Sequence, residues 1–207
     1  MRGTRYAIAA AGLAALLAAP AYAQMGQSQT MPDRGSRATQ TQNKAGSEEA
    51  KFMTKAIEGD LAEVQMGQLA QQKGQSAEVK QLGQMLVNDH GKHLEQAKSL
   101  AQSLGVTPPS APNSSQKKDY DKLSQLSGDK FDREFVQHMV KDHKKDISEY
   151  KKEAKSKNAQ IAGFASQTVP DLEKHLQMAQ SAEKNIKAAN RGTTRDRQNA
   201  QVPPRAQ

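Results

Sequence analysis

Displaced by 82 positions, the chain falls on part of itself. Ala77 lands on Ala159, Val79 on Ile161, Leu82 on Phe164 and Val87 on Val169. The match then sharpens, with Asp89 on Asp171, Lys92 on Lys174, His93 on His175 and Leu94 on Leu176. A shorter echo relates Val87-Asn88-Asp89-His90 to Val140-Lys141-Asp142-His143. Two related helical hairpins are the simplest reading of such a repeat, and two hairpins that bury their apolar faces on each other make a four-helix bundle.

Local signals divide the chain accordingly. Ser47-Glu48-Glu49 offers a cap with acids in the first turn, and a first helix is expected from there to about Lys73. Gly74-Gln75-Ser76 gives a break and a new cap, and the second helix then runs from about Ala77 to Leu104, closed by Gly105 and the prolines at 108, 109 and 112. A polar crossover over 113–128 carries a short helix near Gln116–Leu126. The third long helix starts near Asp129 and ends near Ser156-Lys157-Asn158. The fourth occupies about Ala159–Ala189, with a kink or restart expected at Pro170, which lacks a backbone donor. The crossover is long enough to traverse the bundle, although the sequence alone leaves the direction of the third long helix open.

Alternate steps of four and three pick out the inward stripe of each helix. The first gives Phe52, Ala56, Gly59, Glu63, Met66 and Ala70, and the second Val79, Gly83, Leu86, His90, His93, Ala97, Leu100 and Leu104. The third gives Val136, Val140, His143, Ile147, Tyr150 and Ala154. The fourth gives Ile161, Ala165, Thr168, Leu172, His175, Ala179, Ala182, Ile186 and Ala189. Each apolar stripe is broken near its middle by ionisable groups, and four of the five histidines in the chain are among them. Counted from the inter-helix turns at about 1.5 Å per residue, Glu63, His90, His143 and His175 come to one level within about one helical turn.

A carboxylate and three imidazoles buried together are costly unless paired, hydrogen-bonded or liganded. One transition metal ion would satisfy all four, and this ligand set suits Zn, Fe or Cu without choosing among them. Glu63, His90, His143 and His175 are therefore the candidate ligands. Asp89, His93, Asp142 and Asp171 are candidates to orient the imidazoles or to add ligands. The competing reading is a layer without metal whose hydrogen bonds fix helix register. Met53, Met66, Met139 and Met178 read as packing, His138 as solvated, and the Lys-rich face of the third long helix as a solvated surface.

Composition narrows the function classes. No Cys means no disulfide framework and no thiol nucleophile, and 4% aromatic residues with no Trp argue against a β-sandwich. No Ser–His–acid arrangement marks a hydrolase. The formal charge of +8 is mostly outside the helices. Arg2 and Arg5 carry part of it, as do Arg34, Arg37 and Lys44 against Asp33, and Arg191, Arg195, Arg197 and Arg205 against Asp196. Residues 48–190 are left almost neutral, so no nucleic-acid partner is expected. Residues 24–47 and 191–207 read as disordered basic tails able to touch an anionic envelope surface. Residues 1–23 read as a signal peptide, with the apolar run Ala7–Ala19 and the cleavage site Ala21-Tyr22-Ala23. No segment is long and apolar enough for a transmembrane helix. The expectation is a periplasmic or secreted protein with its domain over 48–190 and an oligomeric state the sequence does not give.

Four runs in order carry a family resemblance. They are Phe52…Ala56…Gly59…Ala62-Glu63-Val64…Gly67-Gln68-Leu69-Ala70; Met85…Asp89-His90; Phe131-Asp132…Phe135-Val136…His143; and Val169-Pro170…Leu172…His175-Leu176. Together they resemble the bacterial exported ferritin-like family catalogued as domain of unknown function 4142, over about residues 48–188. The resemblance implies an all-α, ferritin-like four-helix bundle of two hairpins joined by a long crossover, and no established activity. Di-iron members of the ferritin-like group place Glu three residues before His on two helices. Here those positions hold Val87, Val140 and Leu172, which favours a single-metal His/Glu site. The leading functional expectation is an exported metal-binding bundle in envelope metal handling or stress protection. A non-enzymatic envelope interaction or structural protein is the alternative, and a redox enzyme would need an open coordination position.

Overall fold

The computed structural model describes the backbone of residues 35–200 and the side chains of residues 46–189 and 191. Five α-helices and no strand occupy the described residues: α1 (Gly35–Lys73), α2 (Ala77–Ser103), α3 (Ser114–Ser124), α4 (Gly128–Glu153) and α5 (Ala159–Ala200). None is long and apolar enough to cross a membrane. The signal segment expected over 1–23 lies outside the described residues. The long end helices take in residues 35–47 and 191–200, and the rest of the two expected tails lies outside the described residues. Ser47-Glu48-Glu49 is consequently inside α1, not its cap. Pro170 does not restart α5, which runs unbroken through it.

Short-range chemistry places the turns. Ser76 caps α2 by accepting from the Val79 amide at 3.3 Å, and Gly105, at φ 72°, ends the chain's run after it in the left-handed region. Asn113 and Gln116 form a reciprocal capping box at the start of α3, while the Asn113 amide group donates to Glu58 on α1 at 3.2 Å. The buried Asp132 carboxylate near the start of α4 accepts from the Gln75 and Ser76 amides at 2.9 and 2.7 Å. That contact puts the start of α4 at the start of α2, so the two helices run in the same direction. At the other end, Asn158 before α5 donates to Glu49 on α1 at 3.2 Å.

The helices pair as α1 with α2 and α4 with α5, as the repeat requires. Between α1 and α2 the backbones approach closely at Gly67 and Gly83. A Cβ on either glycine would lie 2.6–2.7 Å from the other's carbonyl oxygen, so only hydrogen fits. Two apolar clusters fill the interior. One, near the α1–α2 turn, includes Met66, Leu82, Leu86, Phe131, Phe135 and Met139, with Phe131 and Phe135 stacked at 5.7 Å. The other, at the far end, includes Phe52, Met53, Ile57, Tyr150, Ile161, Phe164 and Leu172. Between them Asp60, Glu63, His90, His93, His143 and His175 are buried, all at 5% exposure or less.

Candidate metal centre

α1 presents Asp60 and Glu63 to this layer, α2 presents His90 and His93, α4 presents His143, and α5 presents His175. Each helix delivers its group because apolar residues three, four or seven positions away fix which face turns inward. His143 sits one turn after Met139 and His175 three residues after Leu172, both of which are buried.

Three imidazoles converge. The ring centroids of His90, His143 and His175 are 5.7, 5.1 and 5.3 Å apart in the pairs 90–143, 90–175 and 143–175. Each of His90, His143 and His175 offers a ring nitrogen within 4.8 Å of the others, an arrangement that can hold a metal ion. The surrounding acceptors fix two tautomers. A backbone carbonyl can only accept, so His143 Nδ1 donates to the Met139 oxygen at 3.1 Å. His175 Nε2 donates in the same way to Asp89 Oδ2 at 3.1 Å. What is left is His143 Nε2 and His175 Nδ1, 3.2 Å apart, each with a lone pair when the rings are neutral. Two nitrogens bound tetrahedrally at the usual zinc distance would be about 3.3 Å apart.

Burial favours the neutral rings. It pushes His90 and His143 well below the ordinary imidazole value, helped by the neighbouring imidazoles, and pushes His175 down against the opposing pull of Asp89. Burial alone would raise Asp89, but the His175 hydrogen bond, the His175 charge and Lys92 together hold it below the usual carboxylate range.

Asp60, His90 and His93 form a second group whose ligand atoms also lie within 4.8 Å of one another. His90 Nδ1 is 2.9 Å from Asp60 Oδ1, and His93 Nε2 is 3.1 Å from Asp171 Oδ2. Four buried atoms on this side have no hydrogen-bond partner: Asp60 Oδ2, Glu63 Oε2, His90 Nε2 and His93 Nδ1. Burial raises Asp60 to about 8 and Glu63 well above its usual range, and Asp142 and Asp146 add to the rise at Glu63. A cavity of about 160 Å³ reaches this side from the surface, with Asp60, His90, Asp142, Asp146, Glu149 and Tyr150 in its wall.

The repeat acquires a structural meaning here. Asp89 and His93 on α2 match Asp171 and His175 on α5, and the partners exchange across the bundle: Asp89 holds His175, and Asp171 holds His93.

Of the four residues expected as ligands, the structure brings His90, His143 and His175 together. Glu63 is buried at the same level, but it faces Asp142 and Asp146 and joins neither group. Asp89 and Asp171 each hold an imidazole, and Asp142 lies against Glu63. His93 belongs to the second group. Asp60 was missing from the expected set. The stripe through Phe52, Ala56 and Gly59 passed beside it, whereas a parallel stripe through Met53 and Ile57, also at four and three spacing, ends on it.

A family model described as Domain of unknown function (DUF4142) matches residues 34–182. No curated protein matches the chain. Among solved structures, a crystal structure of a DUF305 fragment from Deinococcus radiodurans is similar, with a TM-score of 0.59 at 12% identity. The likeness covers 66% of this chain and 95% of that one, and at this identity it speaks to the fold alone.

Proposed function

The chain belongs to the family described as domain of unknown function (DUF4142), and on that premise we propose that it is an exported, ferritin-like four-helix bundle that binds a transition metal ion. His90, His143 and His175 are the ligands, the ion is Zn, Fe or Cu, and the role is metal handling in the cell envelope after cleavage near Ala23. One observation carries this reading. His143 Nε2 and His175 Nδ1 lie 3.2 Å apart with their other nitrogens already committed to Met139 and Asp89. Two such lone pairs repel unless a proton or a metal ion stands between them, and burial opposes the proton. Acceptors that hold the outer nitrogen of a metal-binding histidine are the usual support of such sites.

The alternative, a layer that only fixes helix register, draws on the same contacts. A doubly protonated His175 would donate to both His143 and Asp89 without any ion. Elemental analysis of protein purified without chelator or affinity histidines separates the two. The expected result is at least one equivalent of transition metal in the wild type and loss of it in His143→Ala/His175→Ala. A metal-free wild type whose melting temperature does not respond to added Zn2+, Fe2+ or Cu2+ would leave only the register role.

A further inference from the structure

We infer that the layer holds two metal ions, the second bound by Asp60 and His93 on the far side of His90. This rests on the metal-binding reading above and goes beyond it in number, ligands and access. The two groups, His90/His143/His175 and Asp60/His90/His93, share His90 and are built alike. In each, a histidine from the repeated Asp-x-x-x-His segment has its Nε2 held by the aspartate of the other segment, at 3.1 Å in both cases. In each, its Nδ1 is turned inward. Across from His175 Nδ1 stands His143 of α4, and Asp60 of α1 fills the corresponding place opposite His93. The internal symmetry of the chain therefore repeats the donor arrangement, with a carboxylate exchanged for an imidazole.

An independent observation points to a ligand on this side. Asp60 Oδ2, His90 Nε2 and His93 Nδ1 are buried without partners, one on each member of the group, and Glu63 Oε2 beside them is equally unanswered. Orphaned buried polar atoms are rare, because each is destabilising unless something completes it. An ion held by Asp60, His93 Nδ1 and the His90 nitrogen that stands 2.9 Å from Asp60, Nδ1, answers two of them. His90 Nε2 is left to the first ion, so that His90 bridges the pair as an imidazolate whose ring proton passes to solvent. Imidazole with carboxylate suits Zn2+, Fe2+ or Cu2+. The half-buried Asp142 and Asp146, which line the cavity leading to Asp60 and His90, give a cation a route in.

Metal-free protein is dialysed to equilibrium against Zn2+, and the bound metal is counted. Two equivalents in the wild type and one in His93→Gln are expected, with Asp60→Asn also falling to one. Loading with Cu2+ supplies a spectroscopic readout. Two Cu2+ ions bridged by the His90 imidazolate, its proton released to solvent on binding, couple magnetically and lose single-ion EPR intensity, and His93→Gln restores it. A wild type that saturates at one equivalent, with uncoupled Cu2+, overturns the second position and leaves the first intact. A wild type that binds none overturns the metal reading itself. Should His93→Gln fail to fold, the wild-type count and the Cu2+ coupling decide alone.

Discussion

The two sides of the mid-bundle layer are composed of the same kinds of residue and end in opposite states. On the side of α4 and α5, every inner atom has a neighbour: Met139 holds His143, Asp89 holds His175, and the two rings face each other. On the side of α1 and α2, three of the group's atoms and the neighbouring Glu63 oxygen are orphaned, and carboxyls stand where imidazole stands opposite. The second side opens into an acid-lined cavity whose wall includes Asp60 and His90 but neither His143 nor His175. The difference teaches how a duplicated hairpin diverges. Both copies keep the aspartate–histidine exchange, which locks the repeats together, and they differ in what faces the histidine.

The sharpest test of that comparison exploits the exchange itself. Asp89 and Asp171 make equivalent bonds to His175 and His93, but the Asp89 side chain is 15% exposed and that of Asp171 is 43% exposed. A hydrogen bond shielded from water orients its ring more firmly. Asp89→Asn should weaken metal affinity on the first side by about 10–100-fold, the usual cost of losing such a support. Asp171→Asn should cost less, and only at the second position. Competitive Zn2+ titration against a chromophoric chelator reads both. Equal losses in the two variants would show that the exchange is symmetric in energy as well as in geometry.

A second test breaks the comparison on pH. Burial, and then the charge of Asp142, raise Asp146 in the cavity wall to about 7. Its folded value lies above its unfolded one of 3.8, so the folded state binds the proton more tightly. The contribution to stability is full below about pH 4 and is lost as pH rises through about 7. The histidines of the first side act in the opposite sense. Their folded values lie below 6.5, so the stability they allow is full above pH 6.5 and is lost as pH falls below it. Between pH 6.5 and 8 only the acid side changes. Metal-free protein should then lose several degrees of melting temperature, and Asp146→Asn should lower the slope without abolishing it, since Asp60, raised to about 8, titrates over the same range. An unchanged slope in that variant would place the titrating group elsewhere.

Much of this was legible in the residues. Period and repeat placed the long helices, and the stripe brought His90, His143 and His175 to one level because level and face follow from counting along a rigid helix. The direction of α4 was not countable. It depends on Asp132 reaching the α1–α2 turn, a contact between residues more than fifty positions apart. Glu63 and Asp60 were separated for a similar reason. A helix packed against several neighbours turns a wide apolar sector inward, so two adjacent stripes on α1 are both buried. The stripe chosen through Gly59 led to Glu63, while the carboxylate that touches His90 belongs to the other. No sequence pattern states which of two inward stripes meets a given neighbour, since that is set by helix rotation against α2 through the Gly67–Gly83 contact.

The smallest expected effect lies at the mouth of the cavity. Lys55 on α1 bonds Glu149 on α4 at 3.0 Å, with the lysine 65% exposed and the glutamate 27% exposed. An ion pair this open contributes at most about 1 kcal/mol, because water already solvates the lysine well. Lys55→Gln should therefore leave the melting temperature almost unchanged. It removes a positive charge from a wall that also carries Asp60, Asp142, Asp146 and Glu149, so the cavity becomes more attractive to a cation. Stopped-flow Co2+ uptake by the variant should be faster than by the wild type at low ionic strength, by up to about tenfold, and the gain should shrink as salt screens the mouth. Uptake equal to wild type at every salt concentration would mean that ions reach the layer by another path. A fall of several degrees would instead make the pair a structural tie between α1 and α4, at odds with its exposure.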